Sequence, residues 1–157
     1  MNRAVVLLAT ITTLGITSTT IVDASERTSE QYAQLLAKAW AAWACTALAD
    51  VADQDQDQAR LFQLGYEAGK EGLTAIRDGL VEDQHIRSHV PIGWKLTAGG
   101  PTVDFGLGQA FEHIVGETLD PLYEETIVPE ASFTASEPLL KAEAANRYRK
   151  ANCSLIQ

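Results

Sequence analysis

Three groups of residues in this chain have types and spacings that chemistry can use. His85 and His89 stand four apart, a spacing that puts two imidazoles one helical turn apart and within reach of one metal ion. His113 follows Glu112 and precedes Glu117 by one turn, an arrangement suited to acid–base work. Asp53, Asp55 and Asp57 alternate like the opening of a calcium-binding EF-hand loop. Each group falls short of its motif. No His-Glu-x-x-His pattern is present, and His113 is the only other histidine. Ile86 and Val90 mark the buried side of their segment, so His85 and His89 are expected to face water with Gln84 and Ser88. The calcium loop needs Gly at its sixth position and Glu at its twelfth, where Gln58 and Leu64 stand. His113 and its glutamates fall on one polar helical stripe, where exposed ion pairs are common and weak. No serine or cysteine nucleophile is paired with a base. The reading is therefore no catalytic residue, no metal and no cofactor.

Two further groups carry more weight. Cys45 and Cys153 are the two cysteines of the chain. In an exported protein such a pair is expected to form a disulfide, here closing a very long loop. The segment from Val90 to Gly108 holds five glycines and two prolines around Trp94, Lys95, Asp104 and Phe105. Glycine-rich turns that display an aromatic suit a recognition surface, because tryptophan anchors binding hot spots. Those four residues are the candidate binding site, on the expectation that Trp94 is exposed.

The elements that must position these residues follow the helical period. A first helix is predicted from Ser29 to Val51, capped by Thr28 or Ser29. Tyr32, Leu35, Leu36, Ala39, Trp40, Trp43, Ala47 and Val51 share one face. Ala39 to Ala49 carries no charge, so the second half of this helix is predicted to be buried all round. Cys45 lies opposite the tryptophan face, where the C-terminal segment should pack. Residues 53–57 read as a polar connection, and a second helix as running from about Gln58 to Arg77. Its dry face carries Gly65, Gly69 and Gly72, which suggests that a bulky group, Trp40 or Trp43, approaches its backbone there. Gly79 suits the position after the helix. Glu82 to His89 and the residues from Pro91 read as short helices. Thr102 caps a longer one that Pro121 should kink or end. Residues 126–135 read as a loop, and Ser136 as the cap of a last helix that delivers Cys153. No alternating strand pattern appears. The class is all-α: a compact bundle of about four to five helices around a central N-terminal helix, closed by one disulfide.

The N-terminus reads as a targeting segment. Arg3 is followed by an uncharged run from Ala4 to Val22, and Val22-Asp23-Ala24 offers a cleavage site before Ser25. A retained membrane anchor is the alternative, although Thr10, Thr12, Thr13, Gly15 and residues 17–20 dilute the run below a typical span. Residues 25–157 then form one helical domain. The chain carries a net charge of −9. That excludes nucleic acid, whose phosphates need Lys and Arg, and docking on anionic lipid. It is compatible with a basic protein partner.

An exported leader, a Trp- and Ala-rich helix with one cysteine, Leu61-Phe62-Gln63-Leu64-Gly65-Tyr66-Glu67-Ala68-Gly69-Lys70, Val90-Pro91, Gly100-Pro101 with Asp104-Phe105, and a terminal Asn152-Cys153 follow one another. This order resembles a group of small exported proteins of Gram-negative bacteria, over nearly all of residues 25–157. That resemblance brings no activity with it. The layout is also similar to the periplasmic immunity proteins that neutralise amidase effectors of type VI secretion, and this second likeness is one of architecture alone. It implies an inhibitor with a protein partner. The expectation is an exported, periplasmic or secreted, non-enzymatic binding or inhibitor protein. A structural or envelope-stress protein is the alternative, and a small periplasmic enzyme comes after it.

Overall fold

The computed structural model describes residues 27–126 and 133–157. The expected targeting segment and most of the expected loop at 126–135 lie outside the described residues. Six α-helices stand in order among the described residues: α1 (Ser29–Val51), α2 (Asp55–Arg77), α3 (Asp83–His89), α4 (Ile92–Thr97), α5 (Val103–Thr126) and α6 (Phe133–Lys150). A single 3-10 turn, Cys153–Leu155, follows. The fold is the all-α bundle expected, with two short helices bringing the number to six.

Helix α1 begins at a capping box. The Thr28 hydroxyl accepts from the Gln31 amide, and the Gln31 side chain accepts from the Thr28 amide at 2.9 Å. The second half of α1 is buried on every side, through Ala42, Trp43, Cys45, Thr46, Ala47, Leu48 and Ala49. Two apolar clusters meet across it. On one side Ala33, Leu36, Ala39 and Trp43 pack with Leu73 of α2, Trp94 of α4 and Leu107, Ala110 and Ile114 of α5. On the other, Ala42, Cys45, Leu48 and Ala49 pack with Leu61, Leu122, Leu140, Ala144, Tyr148 and Cys153. The Cys45–Cys153 disulfide lies within this second cluster and joins positions 108 apart in sequence.

Helix α2 lies against α1 at backbone distance. A Cβ at Gly65 would stand 2.4 Å from Cδ1 of Trp43, and one at Gly72 would stand 2.9 Å from Cγ of Leu36. Gly69 faces Leu107 and the Trp94 ring. The bulky group expected against this face is thus Trp43, with Leu36 and Trp94 beside it. Trp40 points elsewhere, toward α4. Helix α2 ends as its sequence predicts: Gly79 has φ +74°, and the Leu80 amide returns to the Ala75 carbonyl at 2.9 Å.

Three boundaries differ from the sequence expectation. Helix α2 starts at Asp55, so Asp55 and Asp57 form its first turn, where their charge favours the N-terminal dipole. The turn from α1 shrinks to residues 52–54 because Asp53 adopts the left-handed conformation, φ +55°. Pro121 does not end α5, which continues to Thr126 and thereby buries Leu122 and Thr126. Helix α6 begins at Phe133 and carries Ser136 and Pro138 inside it.

The start of α2 also holds the C-terminus. The Tyr148 hydroxyl donates to Asp57 Oδ2 at 2.7 Å, and Arg60 donates to the Ile156 carbonyl at 2.6 Å and pairs with Asp57. The hydrogen bond from Tyr148 holds the Asp57 carboxyl below its usual range, with Arg60 assisting.

Two predictions follow from this packing. Gly65→Ala overpacks the rigid Trp43 ring and should destabilise by about 1–3 kcal/mol. Gly108→Ala, in open space on α5, should stabilise by up to about 1 kcal/mol through helix propensity. Urea unfolding of both variants checks the pair, and equal effects would show that Gly65 mediates no close contact. The second concerns pH. A depressed carboxyl contributes stability above the ordinary aspartate value near ~4 and loses it as the pH falls through the folded value. Asp57→Asn should therefore cost up to about 1 kcal/mol at neutral pH, a limit set by its part-exposed setting. The difference from wild type should close under acid, and a penalty that persists unchanged at low pH would rule the linkage out.

Candidate functional site

The segment from Val90 to Gly108 folds into α4, the turn after it and the start of α5. Val90 and Pro91 break the chain out of α3 in extended geometry, because the residue before proline avoids the helical region. Two adjacent residues then clamp α4 to the bundle. A Cβ at Gly93 would lie 2.0 Å from Cη2 of Trp40, so only glycine allows α4 this close to that ring. Trp94 enters the core. It is 2% exposed, its Nε1 donates to the Leu36 carbonyl at 2.9 Å, and its ring lies 5.8 Å from that of Trp43. Arg77 at the end of α2 donates to the carbonyls of Ala98 and Gly100 and fastens the turn. Gly100 has φ +99° and lies under the Phe105 ring, where a Cβ would come within 2.2 Å.

This geometry corrects the expected binding patch. Trp94 is a core residue and cannot be an exposed anchor: its indole N–H is satisfied by α1 and its ring fills the space left by Gly69. Lys95 is exposed. Asp104 is exposed too, but it is turned toward α2, where Tyr66 donates to it at 3.1 Å and Lys70 pairs with it at 3.4 Å. Phe105 covers the Gly100 turn and is half exposed. The four residues do not form one surface. Sequence pattern missed the two that do stand out, Ile92 and Leu96. They lie one turn apart on α4 and are 74% and 75% exposed. In a six-residue helix they give too short a pattern to separate an outer apolar face from an inner one.

Trp94 and Lys95 nevertheless share a cavity. Beneath α3 and α4 lies a space of about 250 Å³, walled by Leu36, Leu73, Ile76, Ile86, Val90, Trp94 and Ala98. Arg77, Lys95 and Gly99 complete its lining, and they are its exposed members, so the opening lies among them. No protein-family model matches this chain, and no curated protein or solved structure matches it either.

The remaining chemical candidates resolve into structural contacts. His85 and His89 do not face open water, as expected from sequence, but the start of α1. The Ser29 hydroxyl lies 2.7 Å from His85 Nδ1 and accepts from the Glu82 amide at 2.8 Å, while His89 lies 3.3 Å from Glu30. Ser29 and His85 are thus a serine–histidine pair that their separation of 56 residues hides from sequence reading. Among the described residues no carboxylate within ion-pairing distance orients His85, and Ser29 does not line the cavity beneath α3 and α4. The pair latches α3 to α1. His113 is half buried rather than on an open polar stripe. Its ring meets Trp40 edge-on at 5.9 Å, and its Nε2 lies 3.2 Å from Glu117 but off the line of a hydrogen bond. Asp53 pairs with Lys141 of α6. Among the described residues, no three His, Cys, Asp or Glu side chains gather as a metal site.

The core role of Trp94 has a direct test. Trp94→Ala should cost about 3–5 kcal/mol of unfolding free energy. Trp94→Phe, which keeps most of the ring volume but loses the bond to Leu36, should cost less. Denaturant unfolding monitored by circular dichroism checks both, and wild-type stability in the alanine variant would place the indole outside the core.

Proposed function

We propose that this protein is an exported, non-enzymatic binding or inhibitor protein that engages a protein partner through the outer face of α4. The observation that carries the reading is the pair Ile92 and Leu96, which are 74% and 75% exposed on a helix whose other side is locked by Gly93 and Trp94. Scattered apolar side chains on a surface need no explanation. Two such residues one turn apart on a rigidly seated helix form a preorganised apolar ridge, and preorganisation lowers the entropic cost of association. Lys95 lies between them in sequence, and the body of the protein is acidic. The net charge of −9 favours encounter with a basic partner.

Export is supported by the uncharged run behind Arg3 and by the Cys45–Cys153 bond, which belongs to an oxidising compartment such as the periplasm or the cell exterior. Among the described residues no helix is long and apolar enough to cross a membrane. The likeness in layout to periplasmic immunity proteins points in the same direction, as analogy. Non-enzymatic action is favoured because the Ser29–His85 contact has, among the described residues, no carboxylate within ion-pairing distance to orient the histidine.

The test is comparative capture. Immobilised protein carrying Ile92→Asp and Leu96→Asp should melt like wild type, since both side chains are exposed, and should lose whatever periplasmic protein the wild type retains. Leu139→Asp, a half-exposed site on α6, should retain it. Equal capture by all three proteins would reject α4 as the contact.

A further inference from the structure

The cavity beneath α3 and α4 combines an apolar interior with a cationic opening. Leu36, Leu73, Ile86, Val90 and the Trp94 ring present hydrocarbon to it. Arg77 and Lys95 stand at its exposed edge. Arg27, Arg60, Lys70, Lys141 and Arg147 each pair with a carboxylate. Arg77 and Lys95 pair with none among the described residues. Lys38, Arg87 and Arg149 also form no ion pair among the described residues, but of the unpaired cations only Arg77 and Lys95 line this cavity. Arg77 spends Nη2 on two backbone carbonyls, and its other N–H groups remain to donate. Lys95 has no hydrogen-bond acceptor among the described residues. Two unneutralised cations beside an apolar hole call for a ligand with one negative end and one greasy end.

We infer that this cavity binds a small amphipathic carboxylate, a straight acyl chain of about eight carbons, with its tail on Trp94 and its head between Arg77 and Lys95. The size follows from the volume. About 250 Å³ holds about eight groups the size of water, whose share of liquid volume is ~30 Å³, and a methylene is of similar bulk. It lies below the ~300 Å³ at which sites for drug-sized molecules begin. The chain gains from burial against Leu73, Ile86 and Val90. The cations select an acid over the matching alcohol, with Arg77 able to offer a planar fork to the carboxylate. The site rests on the cavity alone and is independent of the partner reading of Ile92 and Leu96.

Isothermal titration of the folded protein with sodium octanoate tests it, with 1-octanol and sodium acetate as probes lacking the charge and the tail. Octanoate should bind saturably, one per chain, and shift the Trp94 indole N–H resonance. Octanol should bind at least about fivefold more weakly, and acetate should give no saturable heat. Lys95→Gln removes a charge on an exposed side chain and should weaken octanoate by about fivefold, the equivalent of one partly exposed ion pair, with octanol unchanged. Ile86→Phe should fill the cavity and abolish both, its folding verified by melting. The pair Ile92→Asp and Leu96→Asp should leave octanoate binding intact, which separates this site from the protein contact. Absence of saturable octanoate binding to wild type overturns the inference. So does a folded Lys95→Gln variant that binds octanoate as wild type does, or octanol that binds as tightly as the acid.

Discussion

The bundle depends on how closely α2 can lie against α1. Gly65, Gly69 and Gly72 remove the side chains that would hold the two helices apart, and Trp43, Leu36 and the Trp94 ring occupy the space. Glycine inside a helix costs about 1 kcal/mol against alanine. Fully burying one large apolar side chain returns about 1.5–3 kcal/mol. Three glycines that admit several such side chains therefore give a net gain, provided that the approach is tight enough to exclude water. The contacts also explain why these are not interchangeable small residues. At Gly65 even a methyl would meet an indole that is itself buried, with its Nε1 held 3.2 Å from the Phe62 carbonyl.

The opposite side of α1 is organised differently. There the seam is built from Ala42, Cys45 and Ala49 against Leu61, Leu140, Ala144 and Cys153, and cross-links do part of the holding. In the chain-entropy account a bond closing a loop of this length contributes about 4–5 kcal/mol, and measured effects are often smaller. Tyr148 to Asp57 and Arg60 to Ile156 add a polar latch at the same end. The C-terminal segment thus adds a covalent bond and charged contacts to the apolar packing of Leu140, Ala144 and Tyr148. Loss of the disulfide should loosen α6 before it disturbs the tryptophan side, because the buried residues of α6 belong to the second cluster alone.

The long helices, the central burial of α1, the glycine contact and the disulfide were legible in the sequence because each leaves a periodic or pairwise trace. Ala39 to Ala49 carries no charge, as an interior helix should, and two cysteines have only each other as partners. The short elements were not legible. Seven residues in α3 and six in α4 are less than two full turns, too few for a period to show which side is wet. Trp94 looked like a displayed aromatic because it stands among glycines. Gly93 has the opposite function: it brings α4 close enough to Trp40 for its neighbour to reach the core. The histidines were misplaced for the same reason, since their partners Ser29 and Glu30 lie more than fifty positions away. The cavity was invisible because its walls come from four separate helices.

Helix α4 is therefore one short element with two different sides. Inward, Trp94 bonds to α1 and walls the cavity. Outward, Ile92 and Leu96 meet solvent, and Lys95 stands at the edge between the two. A six-residue helix has little stability of its own, so its position is set by its inner contacts: Gly93 on Trp40, Trp94 in the core, and Arg77 on the turn that follows. Anything that fills or empties the cavity acts on those contacts directly. Ile92 and Leu96 flank Gly93 and Trp94 in the same short helix, so the outer ridge takes its position from those inner contacts.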